Sequence, residues 1–310
     1  MNVLILGAAG FIGTNLTLEL MKSKNNHLTL VDKNRDYFQL PKLSERDNVS
    51  IIESSLDNNI DFDEIVKNQE VVYHLVSSVV PSTSNQHITQ DIESNVLFTS
   101  NFLEACVRNN VKKVIFISSG GTVYGKEGKC PLVEETNTAP ISSYGVQKVM
   151  IEKLLYLYNY MYGLEYKIVR LANPYGPYQR PNGVLGAVTT FTYKAITGDE
   201  ITVYGDGSVI RDYIYIDDAI KGIITIANEY SEHKIFNLGS GYGTSIMEIL
   251  DIIQDELKVK LDLSFKESRS VDVPINFLDM TRYIEAFGEK PHRDLREGIA
   301  ATAKFLSENY

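Results

Sequence analysis

Short aliphatic runs recur along the first half of this chain, at 3–6, 28–31, 49–52, 71–76, 113–118 and 167–171, most of them closed by a glycine, a serine or an acid. Between them the apolar residues fall at helical spacing, as in Thr14 to Met21, in Ile92, Val96, Thr99, Leu103 and Cys106, and in Val149, Ile151, Leu154, Leu155 and Tyr158. Runs that are short and apolar throughout are strands covered on both faces. Their alternation with helices is the rhythm of a parallel sheet. The pattern predicts an α/β protein built on a Rossmann-type, doubly wound parallel sheet. Glycine and proline become dense between 174 and 186 and the rhythm loosens, which marks a change of domain. Beyond it the pattern predicts a strand at 200–204, a helix starting at Asp217 or Asp218, a strand at 235–238, a helix capped by Thr244 or Ser245, and a last helix over 295–306. The expected division is a Rossmann domain over 1–173 with return segments near 213–238, and a smaller C-terminal substrate domain from 174–212 and 239–310.

The first run has a chemical consequence. Asn2 to Leu6 breaks at Gly7, glycines recur at Gly10 and Gly13, and a helix follows. Such a turn lets backbone amides and the positive end of a helix approach a pyrophosphate, which larger side chains would hold away. The second run ends on Asp32, nineteen residues past Gly13, where a carboxylate can bond an adenosine ribose diol. A 2′-phosphate would be repelled there, which favours NAD over NADP, although Lys33 and Arg35 follow at once and temper that repulsion. Gly7, Gly10, Phe11, Ile12, Gly13 and Asp32 are therefore candidate cofactor residues. Ser55 and Leu56 follow the third run on the adenine side, and Leu75 ends the fourth on the ligand-bearing edge. His74, at the end of an apolar strand, reads as a packed, hydrogen-bonded residue.

Two later stretches carry the candidate chemistry. The strand ending at Ser118 runs into Ser119-Gly120-Gly121-Thr122-Val123-Tyr124-Gly125, a loop that can approach a ligand closely. Tyr144 and Lys148 then stand at i and i+4, one turn apart on one helical face. An ammonium beside a phenol lowers the phenol pKa, so the phenol can take a hydroxyl proton while hydride leaves the same carbon.

Composition narrows the partners. A net charge of −10 disfavours nucleic acid, and no run of eighteen apolar residues predicts a membrane span. Two cysteines, Cys106 and Cys130, and five scattered histidines offer neither a disulfide framework nor metal-ligand spacing. With no signal-peptide pattern at the N-terminus, the expected location is cytoplasmic.

Taken in order, Gly7 to Gly13, Ser118 to Gly125, Tyr144 to Lys148, Arg170 to Pro177, and Gly205-Asp206-Gly207 through Arg211-Asp212 to Asp217-Asp218 resemble the extended short-chain dehydrogenase/reductase superfamily. The closer likeness is to its nucleotide-sugar epimerase/dehydratase branch, and within that to UDP-glucose and UDP-N-acetylglucosamine 4-epimerases. The resemblance covers nearly the whole chain. It implies tightly held NAD, a UDP-sugar across the cleft, and reversible C4 epimerisation through a transient 4-keto sugar. It also implies Tyr144 as base, Lys148 on the nicotinamide ribose, Asn173 on the substrate, Arg211 and Arg269 on its diphosphate, and a homodimer through the helices at 92–106 and 144–158. Asn276, seven residues past Arg269, falls where the family walls the C2 substituent, and its size leaves room for an N-acetyl arm. One departure stands out: Gly120 occupies the position of a family Ser or Thr, so Ser119, Thr122 or a water supplies that hydroxyl, or Tyr144 works unaided. UDP-glucuronate epimerisation or decarboxylation, C4 reduction and a non-catalytic sugar-nucleotide regulator are the competing expectations.

Overall fold

The computed structural model describes residues 1–310 apart from 36–37, 39, 41–42, 44–45, 56–59, 79–83, 127, 182–185, 269–272 and 289–292. The chain first lays down β1 (Asn2–Leu6), β2 (His27–Asp32), β3 (Val49–Glu53), β4 (Val71–His74), β5 (Lys113–Ser119) and β6 (Glu165–Leu171). Four short strands follow, β7 (Asn173–Tyr175), β8 (Ile201–Tyr204), β9 (Ile210–Arg211) and β10 (Tyr213–Tyr215), and then β11 (Ile235–Leu238). The first six and β11 form one sheet of order β3-β2-β1-β4-β5-β6-β11 in which the pairs are parallel. The direction of strand addition reverses between β1 and β4, which opens a crevice at their carboxyl ends.

Both faces of the sheet are dry because successive residues of each strand enter different cores. Val3 and Ile5 of β1, with Ile115 and Ile117 of β5, join the core under α1 (Phe11–Leu20). Leu4 and Leu6, with Val114 and Phe116, enter the opposite core among Phe62, Phe98 and Phe102. The helices of that second side are α2 (Phe62–Val66), α3 (Ile88–Ile92), α4 (Phe98–Arg108) and α5 (Ser143–Tyr162).

The single helix expected over 92–106 is divided: a π-helical turn, Glu93–Leu97, joins α3 to α4. Asn95 in that turn is buried, and its Nδ2 donates to Gln147 Oε1 and Ser78 Oγ at 2.9 and 2.8 Å. That polar set anchors the end of β4 to the start of α5, and hydrophobic periodicity carries no sign of it. β4 itself stops at His74, whose Nε2 lies 2.9 Å from Thr99 Oγ1. Burial holds the His74 imidazole down to about 3, so it is neutral and structural.

The remaining helices are α6 (Ala187–Thr197), α7 (Ile216–Asn228), α8 (Ile246–Leu257), α9 (Thr281–Phe287) and α10 (Leu295–Asn309). Ser245 is the cap of α8, in a reciprocal pair with Glu248. Three further strands complete small sheets: β12 (Thr244–Ser245) and β14 (Ile275–Asn276) flank β9, and β13 (Leu263–Lys266) pairs with β8. β7 pairs with β10, so the chain leaving the large sheet meets the Arg211 segment at once.

Candidate active site

A cavity of about 800 Å³ opens at the carboxyl ends of β1, β4, β5 and β6. At one end its wall is the glycine turn, with Gly7, Gly10, Phe11, Ile12 and Gly13, and Leu75 beside it. The turn is as tight as a strand-to-helix junction permits. Gly7 has φ +84°, and a Cβ on Gly13 would overlap the Gly7 carbonyl oxygen and stand 2.7 Å from Ala8 Cα. The first turn of α1 carries no side-chain cap and no acid, so its amides are left for an anionic ligand. Asp32 closes this end: Oδ2 accepts from Ala9 N and Oδ1 from Lys33 N, at 2.9 and 2.8 Å. The carboxylate thus braces the turn, and Asp32 itself is not among the residues lining the cavity. The close glycine packing, free amides and braced acid fit a dinucleotide.

Ser55 lies exposed beyond β3 and does not line the cavity. Leu56 and Arg269 lie outside the described residues.

The chemistry-bearing groups meet in the middle. Ser119, Thr122, Tyr144 and Asn173 all line the cavity. Tyr144 sits in the first turn of α5, whose cap Ser142 accepts from Gly145 N and whose Tyr144 N donates to Ser84 Oγ at 3.1 Å. The Ser119 hydroxyl stands close enough to its phenol to pull the phenol pKa down against burial. Of the hydroxyls left open by Gly120, Ser119 is the one that acts on the phenol pKa. Thr122 keeps its Oγ1 buried without a partner among the described residues.

Lys148 lies one turn below, 5 % exposed, with Nζ donating to Ile117 O at 2.9 Å and 5.5 Å from the Tyr144 ring centre. The expected lowering of the phenol pKa is not met. Burial raises Tyr144 to about 12, against the bond from Ser119. Desolvation outweighs the hydrogen bond, and the Lys148 charge is spent on a backbone carbonyl. Burial also lowers Lys148 to about 8, partly offset by Glu152.

Beneath this pair is a buried polar cluster. Glu152 pairs with Arg170 at 2.7 Å and accepts from Ser118 Oγ at 2.6 Å. Arg170 also donates to Tyr124 Oη, which in turn donates to Asn237 Oδ1 at 2.6 Å. The available signal was an arginine inside the apolar strand at 167–171 and a glutamate on the inner face of the helix.

At the far end the wall is α6, β8 and β9, with Arg211 among its lining residues. Asn173 is aimed by its neighbour strand: its backbone N and Nδ2 both donate to Asp212 O, at 3.0 and 2.8 Å. Its Oδ1 is left facing Gly121. Asn276, expected beside the substrate, is 1 % exposed and is not on the cavity wall. Pairing of β14 with β9 turns its amide inward, where Nδ2 donates to Gly120 O at 3.3 Å. A side chain at Gly120 would have to displace Leu278, because a Cβ would stand 2.6 and 2.9 Å from its two δ-carbons. Among the described residues no group of three metal-ligating side chains comes together.

Residues 3–239 match the model of the NAD dependent epimerase/dehydratase family. A putative UDP-glucose 4-epimerase of Methanocaldococcus jannaschii is 33% identical over 99% of both chains. The crystal structure of a Thermotoga maritima UDP-glucose 4-epimerase with UDP-glucose superposes with a TM-score of 0.92 at 31% identity over 99% of each chain. A Bacillus cereus UDP-glucuronic acid 4-epimerase in complex with UDP-glucuronic acid and NAD gives 0.90 at 25% identity, over 100% of each.

Proposed function

Since this chain belongs to the NAD dependent epimerase/dehydratase family, we propose that it interconverts a UDP-hexose and its C4 epimer through a transient 4-keto sugar. The observation that carries the reading is one continuous cavity. It joins a pyrophosphate-fitting glycine turn, a phenol beside the Ser119 hydroxyl and above a buried lysine, and an arginine at the far wall. NAD, held at the glycine turn and Asp32, supplies the acceptor and later the donor of hydride when bound.

The chain's own residues do the rest. Tyr144 takes the C4 hydroxyl proton and returns it after the sugar has presented its other face. Ser119 stabilises the phenolate and holds the C4 oxygen. Lys148 turns its ammonium from Ile117 O toward the cofactor ribose, where its charge favours phenolate. Asn173 and Arg211 orient the sugar and its diphosphate.

A neutral hexose is favoured by the cavity wall. Its described residues include two basic side chains, Lys194 and Arg211, and both stand on the α6 and β9 side. UDP-glucuronate is the second reading, favoured by the likeness to the Bacillus cereus enzyme. Homodimerisation belongs to the proposal as well: Val146, Met150, Leu157 and Met161 form one exposed apolar stripe on α5, and light scattering on the purified protein tests it.

The decisive assay offers UDP-glucose, UDP-N-acetylglucosamine and UDP-glucuronate to NAD-bound protein without added NADH and resolves the C4 epimers. Interconversion of a neutral sugar with no net redox change is the expected result. Turnover confined to UDP-glucuronate moves the assignment to the second reading, and none across the panel overturns both.

A further inference from the structure

Ser119 is followed by two glycines, the residues with the greatest backbone freedom, yet its hydroxyl must be held to a fraction of an ångström against Tyr144. Gly120 N bonds to Leu171 O of β6 at 2.8 Å, and within the turn Thr122 N and Val123 N bond to Ser119 O at 3.3 and 3.2 Å; none of these holds the carbonyl of Gly120. What reaches it comes from 156 residues away: Asn276 Nδ2 meets Gly120 O while Leu278 fills the space a side chain at 120 would take.

That distant segment is itself firmly held. Leu278 N donates to Asp212 Oδ2 at 3.2 Å, Leu132 N to Phe277 O at 3.0 Å, and Asp279 N to Leu132 O at 2.8 Å. Asn276 also pairs in register with Arg211 across β14 and β9. One short strand pair thus carries an arginine on the cavity wall and the amide that grips the turn beside Ser119.

We infer that Asn276 is a positioning residue of the redox site: carried on the strand paired with Arg211, it locks the Gly120 peptide so that Ser119 faces Tyr144. The inference rests on the epimerase reading for its kinetic test. Asn276 touches neither substrate nor cofactor and acts through Ser119. Gly120 and Leu278 are complementary halves of the same device, a glycine that admits the leucine and a leucine that keeps the glycine still.

The test is a double-mutant cycle with Ser119→Ala and Asn276→Ala in NAD-bound protein. Asn276→Ala alone should lower kcat about 10- to 100-fold with KM changed by no more than about 2-fold. Its acid limb should move to higher pH, because the phenol loses the bond that opposes its burial. In the Ser119→Ala background the same substitution should have almost no further effect. A loss confined to KM, an unmoved pH limb, or effects that simply multiply would overturn the inference. Asn276→Ser, too short to span to Gly120, runs through the same cycle should the alanine variant fail to fold. If the wild type turns over no sugar, the epimerase reading has failed and a substrate-free readout remains. In NMR of ¹³C-labelled tyrosine, with Tyr144→Phe identifying the signal, Tyr144 should titrate higher in Asn276→Ala, and an unchanged titration would again overturn the inference.

Discussion

Arg170 grips Glu152 through two parallel bonds, Nη2 to Oε2 at 2.7 Å and Nε to Oε1 at 3.1 Å, with both side chains at most 5% exposed. The pair ties β6 to α5 one helical turn below Lys148, and Glu152 is the charge that keeps the Lys148 ammonium from being lowered further. An ion pair so placed fixes the helix that carries Tyr144 and Lys148 against the sheet that carries Ser119.

Glu152→Gln should therefore cost stability out of proportion to its size. It leaves Arg170, whose charge is held on by Glu152, buried without its counterion. Losing one partner of such a pair costs about 3–5 kcal/mol. Urea denaturation of the NAD-bound protein measures the loss. A change below about 1 kcal/mol would show that water or Tyr124 already carries the Arg170 charge.

Tyr144→Phe should lower kcat about 10²- to 10⁴-fold while leaving NAD binding nearly intact, because the phenol moves a proton and the cofactor is gripped elsewhere. Ser119→Ala should cost less, and Thr122→Ala least, since the Thr122 hydroxyl is turned into the wall. Steady-state kinetics on the preferred sugar, with cofactor content measured in parallel, orders the three. A Thr122→Ala loss exceeding that of Ser119→Ala would reverse the assignment of the hydroxyl.

Lys148 has a pH signature. Burial lowers its pKa from the ordinary lysine value of 10.5 to about 8, so between those values the unfolded chain binds more protons than the folded one. Stability therefore rises as pH rises from about 8 to 10.5, and the burial penalty is in full force below about 8. Lys167 is lowered in the same direction and adds the same slope. In the cofactor-free protein Lys148→Met should be more stable than wild type at pH 7 and should show a shallower rise over that window, while losing turnover. Denaturant midpoints at several pH values read the difference between the two proteins, from which the Lys167 contribution cancels.

Gly13→Ala should weaken NAD binding and the fold together. Its methyl would meet the Gly7 carbonyl oxygen and the Ala8 backbone, groups without rotamers to move aside. Calorimetric titration with NAD should find at least about a 10-fold loss of affinity. Unchanged affinity would mean that the turn relaxes at no cost.

The elements and the candidate chemistry are legible in the chain alone. Apolar runs such as Val3 to Leu6 and Val114 to Ile117, short and bounded by turn residues, read as strands buried on both faces. The glycines at 7, 10 and 13 require the tight turn, and Tyr144 and Lys148 share a helical face at any tertiary arrangement that keeps the helix. These are local properties, set by periodicity and by the backbone freedom of glycine. Tertiary structure decided what lies far apart in sequence. It closed Arg170 on Glu152, inserted a π turn so that Asn95 could bond Gln147, and turned Asn276 away from the cavity onto Gly120. Each of these depends on which strand neighbours which and on the direction a side chain leaves it, and a buried polar group must find its partner wherever the fold has put one. Gly120 shows the division most clearly: in the chain it is a missing hydroxyl, and in the folded protein it is the space that Leu278 fills.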